Sequence, residues 1–340
     1  MPKYCRESIP SHERDAKLIF LRDASSDKRD QQADSRKVWA NRFAAALLSS
    51  GLPRQAARVR DCAEALFFAE AEDAGTGEIK LRLKSAPYCR YRHCPICQGR
   101  RSLKVKAMLM NALPAVLEKY PTARFLFLTL TVRNPSVSDL RETIQAMNKG
   151  WQRLVQRKNW PAIGWIRATE VTRKEDDTAH PHFHALLMVP ASYFSKGYVP
   201  TREWVQRWRE VMRLDYDPVC DIRVIRPKQT AKAEIGQDAV DNRLRALYSA
   251  IAETAKYPTK SVDLLAAGPE WLAEYVAQVN ALKFLTSGGV LKGILKDVRE
   301  SDTENLVNYA DGDGAEADPR KLIPFHFRNQ LKAYARKRKV

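Results

Sequence analysis

His180 to Val189 reads HPHFHALLMV, which places three of the chain's six histidines at every second position and then runs straight into apolar residues. Side chains two apart on a strand share a face. His182 and His184 therefore present both imidazoles to one point, while Phe183 and Ala185 turn towards the core. His180 can join them, although Pro181 displaces the backbone there. A single strand histidine is ordinarily a satisfied core or surface residue. Two at this spacing, entering ALLMV, point to metal ligation.

The neighbouring segments give this strand its setting. RATEVTRK (167–174) reads as a preceding strand, separated from it by the polar loop RKEDDTAHP. If the two strands pair antiparallel, Glu170 approaches the histidine pair; the alternative is an ordinary exposed strand glutamate. Glu175, Asp176 and Asp177 in the loop are less constrained candidates. Two histidines and one carboxylate leave coordination positions open for substrate. Non-haem iron oxygenases use the same set, so the ligands alone do not name the chemistry.

ARFLFLTLTV (123–132), bounded by Pro121 and by Asn134 and Pro135, reads as a buried central strand. Helical periodicity follows over 136–160, 201–212, 239–257 and 269–284, and 220–225 reads as extended. Towards the N-terminus, KVWANRFAAALLSSGLP (37–53) and RQAARVRDCAEALFFAE (54–70) read as two helices, and EDAGTGEIKLRLK (72–84) as a turn and a strand. Residues 98–120 form a basic amphipathic helix in which Pro114 is a kink point. Strands interspersed with helices predict an α+β fold: a mostly antiparallel sheet with the histidine strand central and helices on its faces. The expected divisions are a charged arm over 1–36, a helical module over 37–120 that carries a cysteine cluster, a larger α+β domain over 121–300, and an acidic linker and basic tail over 301–340.

YCRYRHCPICQGRR (88–101) brings Cys89, Cys94 and Cys97 within nine residues. The Cys94–Cys97 pair is a C-x-x-C knuckle, whose turn aims two thiolates at one ion. Tetrahedral zinc needs a fourth ligand: Cys62 at the end of the second predicted helix is the choice, and His93 the substitute. Three reduced core cysteines are the alternative. Arg90, Arg92, Arg100 and Arg101 surround the knuckle and are candidates to face phosphate.

The balance of 58 Lys+Arg against 40 Asp+Glu leaves a net charge of +18 on 340 residues. Such an excess fits a polyanion, because neutralising phosphates releases counterions. Hydrophobic residues make up 44% of the chain, which argues against global disorder. No run of about 18 apolar residues is present, and the N-terminus lacks the apolar centre of a signal peptide. The expected location is a reducing cytoplasm without membrane contact, where clustered cysteines bind metal rather than form disulfides.

In IAETAKYPTK (251–260), Glu253 and Tyr257 stand four apart and share a helix face, flanked by Lys256 and Lys260. A phenol is a poor nucleophile at its free pKa of about 10. A nearby cation, or a phosphate whose charge a metal neutralises, makes its attack feasible.

Taken together and in order, FLFLTLTVRN, HPHFHALLMV and ETAKYPTK resemble the three motifs of the rolling-circle replication initiators of small bacterial plasmids, members of the HUH endonuclease superfamily. The segment CRYRHCPICQGRR with Cys62 is similar to the cysteine-rich region upstream of those motifs. LKFLTSGGVLKGIL also resembles a family segment, less specifically. The resemblance covers about residues 60–300. It implies that His182 and His184 ligate Mg²⁺ or Mn²⁺ with Glu170 as third ligand, and that Tyr257 is the nucleophile. It implies attack on a phosphodiester in single-stranded or extruded hairpin origin DNA, leaving a 5′-phosphotyrosine and a free 3′-hydroxyl. Glu253 then activates water at termination. A host helicase is an expected partner. Imidazole ligands suit Mn²⁺ at least as well as Mg²⁺, which prefers oxygen. Transposases and relaxases of the same superfamily often carry two nearby tyrosines; Tyr248, nine residues before Tyr257, does not share its helix face. A non-enzymatic zinc-containing DNA-binding repressor explains the charge and cysteines but leaves His182, His184 and Tyr257 idle. An oxygenase explains the metal set but not the charge.

Overall fold

A computed structural model describes residues 18–25, 27–72, 77–226, 247–248, 251, 261–293, 306 and 321–337. Among the described residues ten strands follow in chain order: β1 (Leu18–Phe20), β2 (Ala65–Glu72), β3 (Ile79–Ser85), β4 (Arg124–Thr131), β5 (Gly164–Arg173), β6 (Ala179–Val189), β7 (Cys220–Val224), β8 (Leu285–Gly289), β9 (Ile323–Arg328) and β10 (Ala333–Lys337). They form two five-stranded sheets, and every pairing is antiparallel. The chain divides into two compact units, one built from 1–48, 53–100 and 301–340, the other from 49–52 and 101–300.

The second unit has the strand order β7-β4-β6-β5-β8, so the histidine strand β6 is central, as its sequence predicts. Its two-residue alternation decides what each face meets. The odd positions Phe183, Ala185, Leu187 and Val189 pack with Leu126, Leu128 and Leu130 of β4. They are covered by two helices, α6 (Leu140–Val155) with Met147, Trp151 and Leu154, and α7 (Thr201–Met212) with Trp204, Trp208 and Val211. The even positions Leu186 and Met188 pack with Phe125 and Ile166 beneath α5 (Pro95–Lys119), through Val105, Leu109, Leu113 and Leu117. A strand covered on both faces needs a continuous apolar run, which is what ALLMV supplies. α5 runs through Pro114 as one helix. Gly150 on α6 allows the close approach of α7, since a Cβ there would collide with the Met212 sulfur. Trp208 on α7 donates its Nε1–H to the Thr131 carbonyl at 2.8 Å, tying the helix to the end of β4.

The first unit contains more sheet than the single strand expected over 72–84. Its helices are the short α1 (Leu21–Ala24) and α2 (Lys28–Gln31), then α3 (Ala33–Ser49), α4 (Pro53–Asp61) and the start of α5. They accompany a sheet of order β1-β10-β9-β2-β3. The helix predicted over 54–70 stops at Asp61, and ALFFAEAE continues as β2, its apolar first five residues largely buried and its glutamates exposed. Within the stretch expected to be a charged arm, Leu18–Phe20 form β1, which pairs with β10. The expected basic tail is a hairpin at 323–337: β9 and β10 pair with each other, and β9 joins β2. Phe325, Phe327 and Tyr334 bury the inner face of this hairpin, which accounts for basic residues alternating with aromatic ones there. No helix among the described residues is long and apolar enough to cross a membrane.

Candidate metal centres and nuclease site

Four separate positions converge at the cysteine cluster. Cys62 follows α4, Cys89 lies in the connection after β3, and Cys94 and Cys97 bracket the first turn of α5. Their sulfurs all lie within 4.8 Å of one another. The Cys62–Cys97 and Cys89–Cys97 Sγ separations are 3.6 and 3.7 Å. A disulfide would bring two sulfurs to about 2.05 Å, whereas a tetrahedral zinc with Zn–S bonds of about 2.3 Å holds them about 3.8 Å apart. The donor set therefore fits zinc, with Cys62 rather than His93 completing the group. His93 instead packs edge-on to Tyr91, ring centroids 5.4 Å apart.

The chain is shaped to hold these thiols. Ala63 and Arg90, each directly after a cysteine, adopt left-handed backbone at φ 52° and 55°. The Cys89 amide donates to Cys62 Sγ at 3.4 Å, and Arg58 Nη2 donates to the Cys89 carbonyl at 2.8 Å. The loop carrying Cys62 is gripped from behind by Lys37 of α3, which is completely buried. Its Nζ donates to the carbonyls of Arg60 and Cys62 at 2.5 and 2.8 Å and pairs with Glu64 at 3.1 Å. The Tyr334 hydroxyl donates to the Ala63 carbonyl. Burial pushes the Cys94 thiol well above its ordinary range. Four thiolates packed this closely would need a cation between them, and the N-terminal end of α5 favours the thiolate form of Cys94 and Cys97.

The second centre lies on the α5 face of β6. Glu170 stands directly opposite His182 in the β5–β6 register, and Thr129 of β4 stands opposite His184. The Nε2 atoms of His182 and His184 lie 3.4 and 3.2 Å from the same oxygen, Glu170 Oε2. An octahedral cation with bonds of about 2.1 Å sets adjacent ligands about 3.0 Å apart, so these three residues fit such an ion with little movement. The far side of each ring is tethered. His182 Nδ1 donates to the His180 carbonyl at 3.1 Å, which turns the Nε2 edge of the ring towards Glu170. His184 Nδ1 meets Thr129 Oγ1 at 3.2 Å, and its ring stacks on Phe127. Such outer contacts fix tautomer and ring angle in metal sites. Burial raises the Glu170 carboxyl, but hydrogen bonds from His182 and His184 outweigh it and hold the group below the usual carboxylate range.

His180 stays out of the group. Its Nδ1 contacts Asn134 Oδ1 at 2.7 Å, and burial, then its neighbour His182, pushes its pKa down to about 4. Thr129, Asn134 and Lys37 are contributors that sequence reasoning did not single out. The signal for Thr129 was available: Thr129 and Thr131 interrupt an apolar strand at a spacing of two. Of the proposed phosphate-facing arginines, Arg90 is exposed and Arg92 half-buried. Arg100 donates to the Leu306 carbonyl at 2.7 Å and lies over the Tyr88 ring. Arg101 is only 2% exposed, which corrects its expected role. It falls on the same stripe of α5 as Gln98, Val105 and Leu109, all buried, so the helix turns it inward. Glu253, Lys256, Tyr257 and Lys260 lie outside the described residues.

Comparison with known proteins identifies the family. The family model described as a replication protein matches residues 80–335, from before the cysteine knuckle through the histidine strand to β10. A protein rep of Bacillus amyloliquefaciens is 31% identical over 341 residues, covering 95% of this chain and 98% of the relative. A protein rep of Streptococcus pneumoniae serotype 2 is 34% identical over 276 residues, covering 78% and 79%, and one of Lentilactobacillus hilgardii is 32% identical over 302 residues, covering 86% and 90%. No solved structure matches the chain. The chain belongs to the replication-protein family, the plasmid replication initiators that its motif order resembles.

Proposed function

We propose that this initiator nicks one DNA strand at a plasmid origin and rejoins it after rolling-circle synthesis, working in the bacterial cytoplasm with a host helicase. The observation that carries the reading is the convergence of two imidazole Nε2 atoms on one carboxylate oxygen, with the rings tethered from behind. His182, His184 and Glu170 would hold Mg²⁺ or Mn²⁺. The ion's chemistry is withdrawal of charge from the scissile phosphate in the transition state.

Tyr257 supplies the nucleophile. Its phenolic oxygen bonds to the phosphorus as the bond from phosphorus to the 3′-oxygen breaks. The departing oxygen takes up a proton and becomes a 3′-hydroxyl that primes synthesis. The phosphotyrosine conserves the bond energy, so a later 3′-hydroxyl reseals the strand. Glu253 activates water for final release. The sulfurs of Cys62, Cys89, Cys94 and Cys97 hold structural Zn²⁺, and Arg90, Arg92, Arg100, Lys256 and Lys260 add positive charge for DNA.

The test is incubation of single-stranded origin DNA with protein and Mn²⁺. A protein–DNA adduct that resists denaturation is expected, and it disappears in Tyr257→Phe. Nicking that persists in that variant removes Tyr257 as nucleophile. In Glu253→Ala the first cleavage is expected to persist while hydrolytic release falls; equal loss of both steps makes Glu253 structural.

A further inference from the structure

The first unit's sheet has an outer face that the nuclease chemistry does not use. The register of its pairs shows which residues share that face. Ala71 opposes Lys80, Ala69 opposes Arg82, Ala65 and Ala335 both oppose His326, Ala333 opposes Arg328, and Leu18 opposes Lys337. Phe67, opposite Pro324, and Phe20, opposite Ala335, belong to the same side. The intervening positions Leu66, Phe68, Phe325, Phe327 and Tyr334 are buried on the other side. Pro324, His326, Arg328 and Lys337 are exposed, and Lys80, Arg82, Phe67 and Phe20 are half-buried.

Two features of this face decide its partner. None of the strand residues placed on it is acidic, whereas it carries Lys80, Arg82, Arg328, Lys337 and His326. The strand glutamates Glu70 and Glu72 fall in register with Leu81 and Ile79, on the opposite side; Glu78, just before β3, pairs with Lys80 at 3.2 Å. Second, each of Lys80, Arg82, His326 and Arg328 stands opposite an alanine, and Ala65, Ala69, Ala333 and Ala335 are buried, so the long side chains lie over small residues and form the outermost layer of the face, where a chain of phosphates meets them. A flat duplex contact would use only the charges. Phe67 and Phe20 among the cations give bases something to stack on, the combination that single-strand binders use.

We infer that this β1-β10-β9-β2-β3 face binds single-stranded DNA, separately from the metal-bearing cleavage site. It places a second single-strand contact on the zinc-bearing unit of the same chain.

The test is fluorescence-anisotropy binding of a labelled 20-nucleotide oligothymidylate to the full-length zinc-loaded protein, in buffer without added divalent ion. Cleavage is then silent, and the result does not depend on the nuclease reading. In the triple variant Arg82→Ala, Arg328→Ala, Lys337→Ala, Kd is expected to rise at least tenfold. The slope of log K against log salt is expected to fall by about 2, since each lost phosphate contact removes about 0.7 on a single strand. Phe67→Leu, which keeps the charge, is expected to weaken binding severalfold with the slope unchanged. A control triple, Lys158→Ala, Lys196→Ala, Arg202→Ala, removes the same charge from exposed positions of the second unit and is expected to change Kd less than twofold. If the first triple misfolds, Arg328→Gln alone keeps the same readout. Unchanged Kd and slope, equal loss in the control, or preferential loss of duplex binding each overturns the proposal.

Discussion

The two metal-site candidates are built on opposite plans. The cysteine cluster draws four sulfurs from separated stretches of chain, buries three of the four residues, and holds the loops between them by hydrogen bonds between side chains and backbone. The histidine–glutamate site draws three ligands from two adjacent strands of one sheet and leaves its donors partly accessible. A closed four-ligand shell contributes to folding and leaves no position for substrate. An open three-ligand shell on a rigid sheet contributes little to folding and leaves room for a phosphate. Metal loss is therefore expected to unfold one region and only inactivate the other.

The largest expected effect comes from Cys97→Ser. Zinc content should fall from one per chain towards zero, and the melting temperature by more than about 10 °C, because structural zinc is worth on the order of 10 kcal/mol in small domains. Metal analysis with calorimetry checks it, and an unchanged melting temperature with full zinc content breaks the contrast between the sites. His184→Ala should do the reverse. Nicking should drop at least ~10³-fold, about 4 kcal/mol of transition-state stabilisation, while zinc content and melting temperature stay close to those of the parent. Activity within tenfold of the parent would show that His184 is not a ligand.

Smaller changes sharpen the comparison by acting one step behind each cluster. Lys37→Met keeps the volume but leaves the carbonyls of Arg60 and Cys62 without their buried donor. It should cost about 2–3 kcal/mol in urea unfolding and speed zinc loss to a chelator. Unchanged chelation kinetics would confine Lys37 to general packing. Thr129→Val removes the hydroxyl behind His184, and Mn²⁺ affinity by titration should weaken about tenfold with stability preserved. An unchanged Mn²⁺ affinity would mean that stacking on Phe127 alone orients the ring.

How much of each region was legible in the sequence follows from the range of its contacts. The histidine site is local: period two puts His182 and His184 on one face, and a short polar loop lets β5 return beside β6, so Glu170 was within reach of inspection. The cysteine knuckle is equally local at Cys89, Cys94 and Cys97, and Cys62 was found because a fourth thiol was needed. The sheet around that cluster was not legible. β1 pairs with β10 and β2 with β9 across most of the chain's length, and nothing in a short window announces such a partner. IPFHFR and AYARK carry the strand alternation, but the run of basic residues at the C-terminus masked it. Arg101 was misplaced because charge suggested solvent, whereas its position on the apolar stripe of α5 decided burial.

The claim that two distinct ions serve two distinct purposes is tested most directly by diffraction from crystals grown with zinc and soaked in Mn²⁺, with anomalous data at both absorption edges. The account predicts a zinc peak among the four cysteine sulfurs, and a manganese peak within about 2.3 Å of His182 Nε2, His184 Nε2 and Glu170 Oε2. A manganese peak elsewhere with these three residues still in mutual contact, or zinc missing from the cysteines in a folded protein, would contradict it.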